Sequence, residues 1–114
     1  PLLGRHNAMN SIAAIAACAA LGADPARALA ELEHFGGVRR RMDLVGVARE
    51  IHVFDDFAHH PTAIDTTLAG LRARVGSARI LAVMEPRSNS MRQGAHAAAL
   101  PGAFGAADAV HVLA

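Results

Sequence analysis

The chain has 114 residues, of which 53% are hydrophobic, and its formal net charge at pH 7 is +1. This length corresponds to one ordinary domain, and the composition excludes a disordered chain and a basic surface for nucleic acid or an anionic membrane. All 11 basic residues are arginines, which excludes Schiff-base chemistry and a phosphate-loop lysine within this chain.

Three features bear on where the protein works. The single cysteine, Cys18, excludes an internal disulfide framework and is typical of a reducing cytoplasm. No apolar run approaches the ~18 residues of a transmembrane helix. The first residues, PLLGRHNAMN, lack an initiator methionine and a signal-peptide pattern, so we expect a piece of a longer cytoplasmic protein.

The first two predicted elements are helices. HNAMNSIAAIAACAALG is apolar on nearly all sides and ends at Gly22, a pattern that predicts a buried helix with Cys18 as a packed thiol. ADPARALAELEHFGG predicts a second helix, with Asp24 as its N-cap and Gly36 or Gly37 at its left-handed C-terminal position.

The pattern then changes to strands that alternate with helices. MDLVGVAREIHVFDD predicts two strands with a tight turn around Ala48–Glu50. PTAIDTTLAGLRARVG predicts a helix whose buried stripe is Ile64, Leu68 and Leu71. ARILAVME and DAVHVLA predict two more strands, with a helix at SMRQGAHAAAL between them. This order indicates an α/β fold with a mostly parallel sheet, and the boundary with the helical pair lies at GGVRRRMD.

The densest polar cluster lies in DDFAHHPTAI, directly after a predicted strand and before a predicted helix. Ligands of open α/β sheets bind outside the carboxyl ends of strands, which favours a binding site over mere helix capping by Asp55 and His60. A metal site is one hypothesis, although the adjacent His59 and His60 do not converge easily on one ion. A nucleotide site explains more of the residues, because carboxylates bind ribose hydroxyls, phenylalanine packs on purines and imidazole donates to phosphate oxygens.

Four blocks, GRHNAMNSIAAIAA, FGGVRRRMD, DDFAHHPTAI and EPRSNSM, resemble in order and spacing the Mur ligases, the ATP-dependent amide-bond ligases of bacterial peptidoglycan. The resemblance covers nearly the whole chain. EPRSNSMRQG is most similar to the branch used in peptidoglycan recycling, which joins L-Ala-γ-D-Glu-meso-diaminopimelate to UDP-N-acetylmuramate through an acyl phosphate. The branch that adds L-alanine shares the acid–histidine block and is the alternative.

The resemblance implies a division of the chain between two domains. Residues 1–38 correspond to the end of the central ATPase domain, and residues 39–114 to the front of a Rossmann-like C-terminal domain. The implied cofactors are ATP and Mg²⁺, and the implied partners are UDP-N-acetylmuramate, the murein tripeptide and the rest of the same chain. The family's phosphate loop, carbamylated lysine and Mg²⁺-binding carboxylates are expected upstream, so we expect the isolated chain to be inactive.

The resemblance also assigns roles to individual residues, none of them catalytic or metal-binding. Arg41 is implied to reach the ribose or phosphates of ATP, Asp56 to bind the ribose, and Phe57 to pack on adenine. Asp55 and His60 are expected to orient the loop rather than contact ATP. For Arg39 and Arg40 the run of basic residues itself predicts only solvated charge. The other implied ATP-binding residues are His6, Asn7, Asn10 and His59, and the implied substrate-binding residues are Arg87, Ser88 and Asn89.

Two alternatives from other classes stay open at this point. A metal-dependent phosphoesterase requires a divalent ion bound by His59 and an aspartate. A non-catalytic α/β interaction module requires no nucleotide contact at all.

Overall fold

A pair of helices precedes alternating strands and helices in the computed structural model, which describes residues 4–113. The α/β class predicted from the sequence is confirmed. No helix in this range is of the length and apolar character that a bilayer span requires. The helices are α1 (Arg5–Ala20), α2 (Pro25–Glu31), α3 (Pro61–Val75), α4 (Asn89–Arg92) and α5 (Leu100–Ala103), and the strands are β1 (Asp43–Ala48), β2 (Ile51–Asp55), β3 (Leu81–Met84) and β4 (Ala109–Val112).

The strands form one antiparallel and one parallel pair. β1 and β2 make a hairpin, and the two residues between them, Arg49 and Glu50, have φ values of 49° and 66°. Positive φ at both positions is the geometry of the type I′ turn, whose twist matches that of the flanking strands. β3 and β4 are parallel, with Leu81 opposite Ala109, so the predicted parallel pairing is found between these two strands.

The core lies between α3 and the parallel strand pair. Ile64 and Leu68 on α3 are buried against Ile80, Ala103 and Phe104. Leu71 packs on the same cluster. The helical stripe predicted for α3 is confirmed, and Gly76 ends the helix with a φ of 60°.

The predicted burial of α1 is wrong for the described chain. None of its residues is buried, Met9 and Ile12 are 56% and 60% exposed, and Cys18 is exposed as well. Within residues 4–113, α2 is the helix that packs along α1, and α3 comes close to α1 only at its start, beside Gly4. One short neighbour cannot cover a helix that is apolar on nearly all sides, so most of that surface faces solvent.

Two predicted helices are shorter than expected. Asp24 caps α2 by accepting a hydrogen bond from the Ala26 amide at 3.0 Å, as predicted, but α2 ends at Glu31, before either glycine. The predicted helix in SMRQGAHAAAL is interrupted near Gly94, whose φ is 74°. Its first turn is α4, and successive turns lead from there to α5.

Arg72 joins α3 to the loops before β3 and β4. Its guanidinium donates to the carbonyl oxygens of Gly76 at 2.9 Å, Ala78 at 2.6 Å and Ala106 at 3.0 Å. It also forms an ion pair of 2.6 Å with Asp108. The Asp108 carboxylate accepts a second hydrogen bond from the Ile80 amide at 2.6 Å. The Arg72 side chain thereby fixes the starts of both parallel strands to α3, the helix that contributes Ile64 and Leu68 to the core.

The Asp108 carboxylate makes the stability of this region depend on pH. The Ile80 amide hydrogen bond, followed by the Arg72 guanidinium, lowers the pKa of Asp108. A carboxyl with a lower pKa in the folded state contributes stability above its unfolded pKa of about 3.9, and the contribution is lost as pH falls through the folded pKa. We expect the urea midpoint of a full-length protein carrying Asp108→Asn to fall less steeply below about pH 4 than that of the wild type.

The matched control for this pH series is Asp65→Asn, since Asp65 lies on the exposed side of α3. That variant should follow the wild-type curve. Parallel curves for Asp108→Asn and the wild type between about pH 5 and pH 2 would contradict the role of Asp108.

Candidate functional site

A pocket of about 280 Å³ opens where the start of α1, the linker before β1, the loop after β2 and the middle of α3 meet. Its polar residues are amides, an arginine, a histidine, a threonine and a carboxylate, a set that can bind both sugar hydroxyls and phosphate oxygens. The lining residues are His6, Asn7, Asn10, Val38, Arg41, Met42, Asp56 and Thr67.

A glycine next to α1 brings the start of this helix close to α3. Gly4 has a φ of 83°, a conformation that side-chain-bearing residues rarely adopt. A Cβ atom at this position would lie 3.6 Å from the Cα atom of Gly70 on α3. The backbone therefore passes close to α3 at Gly4, and the first turn of α1 lies beside the pocket.

The Asp56 carboxylate joins two sides of the pocket. Its Oδ2 atom accepts a hydrogen bond of 2.8 Å from the Met42 amide, and its Oδ1 atom accepts one of 2.8 Å from the Ala58 amide. Each carboxylate oxygen can accept further hydrogen bonds. Asp56 is therefore held in one orientation by the backbone and retains the capacity to accept from a ligand.

Left-handed backbone flanks Arg41 in the linker. Arg40 and Met42 have φ values of 59° and 51°. Such conformations cost of order 1–3 kcal/mol for residues other than glycine and persist where surrounding contacts hold them. The Met42 conformation is held by its hydrogen bond to Asp56. The strain and the pocket coincide, as is common at binding sites.

Five of the seven residues predicted to bind ATP line this pocket: His6, Asn7, Asn10, Arg41 and Asp56. The other two, Phe57 and His59, are not among the lining residues. The Arg40 guanidinium carbon lies 4.9 Å from the centroid of the Phe57 ring. The His59 ring meets the Phe57 ring edge-on, with 5.0 Å between the two ring centroids.

Sequence reasoning missed Thr67, Val38 and Met42. Thr67 is on α3, outside the acid–histidine cluster, and packing brings it to the pocket. Its polar side chain next to the buried Leu68 was the available signal. Val38 and Met42 flank the arginine run, and in that segment only an arginine was predicted to bind the ligand.

Asp55 and His60 are not among the lining residues of this pocket and have structural partners. His60 is the N-cap of α3, and its Nδ1 atom accepts a hydrogen bond of 3.3 Å from the Thr62 amide. Asp55 accepts a hydrogen bond of 3.2 Å from Arg40 Nε. The expectation that these two residues orient the loop agrees with these contacts.

A second, more open pocket of about 670 Å³ lies at the carboxyl ends of β3 and β4. Arg87 lines it and forms an ion pair of 2.8 Å with Glu85, which lowers the pKa of Glu85 and raises that of Arg87. Ser88 and Asn89 instead begin α4, where Ser88 Oγ accepts from the Met91 amide at 3.3 Å. The lining residues are Glu85, Pro86, Arg87, Arg92 and Leu113, of which sequence reasoning had predicted Arg87.

Metal coordination finds no support among residues 4–113. No group of three or more histidine, cysteine, aspartate or glutamate side chains in this range is placed to hold a metal ion. The Nδ1 atom of His59, a ligand in the phosphoesterase hypothesis, lies 2.9 Å from the Phe57 carbonyl oxygen.

Comparisons with known proteins agree on one family. Residues 40–114 match the model of the Mur ligase glutamate ligase domain. The chain is 50% identical over 113 residues to the UDP-N-acetylmuramate–L-alanyl-γ-D-glutamyl-meso-2,6-diaminoheptandioate ligase of Escherichia coli K12, covering 98% of this chain and 25% of the relative.

Two crystal structures are similar to this fold. The murein peptide ligase of Psychrobacter arcticus gives a TM-score of 0.68 at 44% identity, covering 98% of this chain and 23% of that one. The UDP-N-acetylmuramate-alanine ligase of Thermotoga maritima gives a TM-score of 0.81 at 32% identity, covering 97% of this chain and 24% of that one. The chain thus spans about a quarter of the length of these proteins.

Proposed function

The chain belongs to the Mur ligase family, and from this membership we propose that it forms part of an ATP-dependent ligase of peptidoglycan recycling. The proposed reaction joins L-Ala-γ-D-Glu-meso-diaminopimelate to UDP-N-acetylmuramate. We assign residues 1–38 to the end of the ATPase domain and residues 39–114 to the C-terminal domain. The E. coli relative, whose name states this tripeptide, is 50% identical to the chain and supports this choice of substrate.

The observation that carries the proposal is the pocket around Asp56. A carboxylate, an arginine and two asparagines converge there from three separate stretches of the chain. The carboxylate suits the ribose hydroxyls of ATP, and the Arg41 guanidinium suits its phosphates, because a planar fork of donors matches their oxygens. We assign the amide groups of Asn7 and Asn10, which line the pocket from α1, to the adenine edge.

In the proposed reaction the γ-phosphoryl group passes from ATP to the lactyl carboxylate of UDP-N-acetylmuramate, and the α-amine of the tripeptide then displaces phosphate. Mg²⁺ would supply charge stabilisation in this transfer. The described residues form no metal-ligand group, so we assign its ligands to the rest of the longer protein. Arg41, Asp56 and the α1 residues bind and orient ATP, and domain closure across the linker completes the site.

Photoaffinity labelling tests whether this pocket binds the nucleotide. The full-length protein is irradiated with 8-azido-ATP and digested with trypsin, which cleaves after arginine and releases residues 6–27 and 50–72 as separate peptides. We expect both peptides to be labelled and the labelling to be removed by excess ATP. Labelling confined to other peptides would contradict the assignment.

Arg87 is proposed to bind a carboxylate of the tripeptide in the second pocket. We expect Arg87→Ala to raise the KM for the tripeptide about 10-fold, since a charge-assisted hydrogen bond contributes about 1.5–3 kcal/mol. The KM for ATP should be unchanged. Steady-state kinetics of the full-length enzyme measures both constants, with the exposed Arg27→Ala on α2 as the control. Equal tripeptide KM values for the two variants would remove Arg87 from the substrate site.

A second candidate function is the ligation of free L-alanine to UDP-N-acetylmuramate. The T. maritima enzyme, whose name states this acceptor, supports it with a TM-score of 0.81. The two candidate functions are distinguished by whether the tripeptide or free L-alanine supports turnover.

A further inference from the structure

We infer that Arg40 is a positioning residue, which with Asp55 holds the loop of Asp56 against the linker that carries Arg41. This inference rests on the proposed ATP-binding function of the pocket. Arg40 is absent from the pocket lining, and its position in a run of arginines predicted only solvated charge.

Arg40 contacts the last residue of β2 and the loop that follows it at three points. Its Nε atom donates to Asp55 Oδ2 at 3.2 Å, and its guanidinium lies over the Phe57 ring at 4.9 Å. Its carbonyl oxygen accepts a hydrogen bond of 2.9 Å from the Phe57 amide. Asp55 and Phe57 are the two sequence neighbours of Asp56, so Arg40 holds the loop on both sides of the ligand-facing carboxylate.

The three consecutive arginines have three different environments. Arg41 lines the pocket, and Arg40 contacts the loop. Within the part of the chain that the structure describes, the Arg39 side chain makes no hydrogen bond, ion pair or ring contact. Arg39 therefore provides a control of the same residue type at an adjacent position.

The backbone of Arg40 adds a second observation. Its φ of 59° is a conformation that arginine adopts at a cost. The Arg41 amide donates to the Val38 carbonyl oxygen at 3.0 Å, which places Arg40 inside a tight turn. The contacts with Asp55 and Phe57 keep this turn in place, and the turn determines where Arg41 enters the pocket.

The ion pair is solvent-exposed, with 54% and 46% of the two side chains accessible, so its contribution alone is small. The stacking on Phe57 adds to it. We expect Arg40→Ala to raise the KM for ATP about 5-fold while kcat stays within about 2-fold of the wild type. Arg40→Lys should recover part of this loss, since an ammonium keeps the charge but not the planar stacking.

Two measurements on the full-length enzyme test the inference together. Hydrogen–deuterium exchange is followed in the peptides that contain Met42 and Phe57, and the KM for ATP is measured for the same variants. Arg40→Ala should accelerate exchange in both peptides, whereas Arg39→Ala should change neither exchange nor KM. Adding Arg40→Ala to Asp55→Asn should raise the KM by less than the product of the two single effects, because the variants remove one shared interaction.

Exchange in Arg40→Ala at the wild-type rate would overturn the inference whatever the kinetics show. Accelerated exchange with an unchanged KM for ATP would overturn it too, provided that Asp56→Ala raises that KM in the same assay. An unchanged KM in Asp56→Ala marks failure of the proposed ATP site itself, and the exchange data still decide whether Arg40 holds the loop.

Discussion

Under the proposed function, replacing Asp56 by alanine in the full-length protein is expected to lower kcat/KM for ATP about 100-fold, or about 2.7 kcal/mol. The carboxylate accepts hydrogen bonds from the Met42 and Ala58 amides, and Asp56 lines the pocket. Its removal loses the contact proposed for the ribose. It also leaves the left-handed Met42 backbone without the hydrogen bond that holds it. Initial rates at varied ATP, with both other substrates saturating, measure the effect.

Two variants show which property of Asp56 matters. Asp56→Asn keeps the shape but has one acceptor oxygen and no charge, so we expect an intermediate loss of about 10-fold. Asp65→Ala removes an exposed carboxylate from α3 and should leave the rates unchanged. A kcat/KM for Asp56→Ala within about 3-fold of the wild type, which is less than 1 kcal/mol, would exclude Asp56 from ATP binding.

The second large effect is on stability, at Arg72. We expect Arg72→Ala to lower the free energy of unfolding of the domain by about 2–3 kcal/mol, because several carbonyl groups lose their donor at once. The side chain bonds Gly76, Ala78 and Ala106, and it is 29% exposed, so water replaces only part of what is lost. Urea denaturation of the full-length protein, followed by circular dichroism, measures the change.

Arg74→Ala is the matched control for this prediction. Arg74 lies two residues further along α3 and is exposed. Arg72→Lys should resemble Arg72→Ala more than the wild type, since one ammonium group cannot reproduce the fork of donors. A common urea midpoint for Arg72→Ala and Arg74→Ala would show that the network contributes nothing to stability.

Local sequence patterns predicted the elements that local interactions specify. The α3 stripe follows from helical spacing, the Asp24 cap from a side chain that bonds its own helix, and the β1–β2 hairpin from alternating hydrophobicity. The residues of the pocket around Asp56 were predicted differently, through resemblance to a family. Five of those seven residues converge in space, although they come from three separate stretches of the chain.

The failures concern properties that depend on tertiary packing. Hydrophobicity on all sides of α1 indicates that the helix requires burial, but not whether residues 4–113 cover it. In the structure Ile12 is 60% exposed. Arg40 could not be distinguished from Arg39 by sequence, since the difference is an ion pair across 15 positions. Thr67 reaches the pocket only because α3 packs beside the start of α1. In each case the deciding partner is distant along the chain.

The most direct test of the proposed function is ligation by the full-length protein with two acceptors offered separately. UDP-N-acetylmuramate, ATP and Mg²⁺ are incubated with L-Ala-γ-D-Glu-meso-diaminopimelate or with free L-alanine, and product formation is followed by mass spectrometry. We expect the tripeptide product to form at a rate well above that with L-alanine. Turnover with L-alanine alone would contradict the recycling assignment, and no product with either acceptor would contradict the proposed ligase activity.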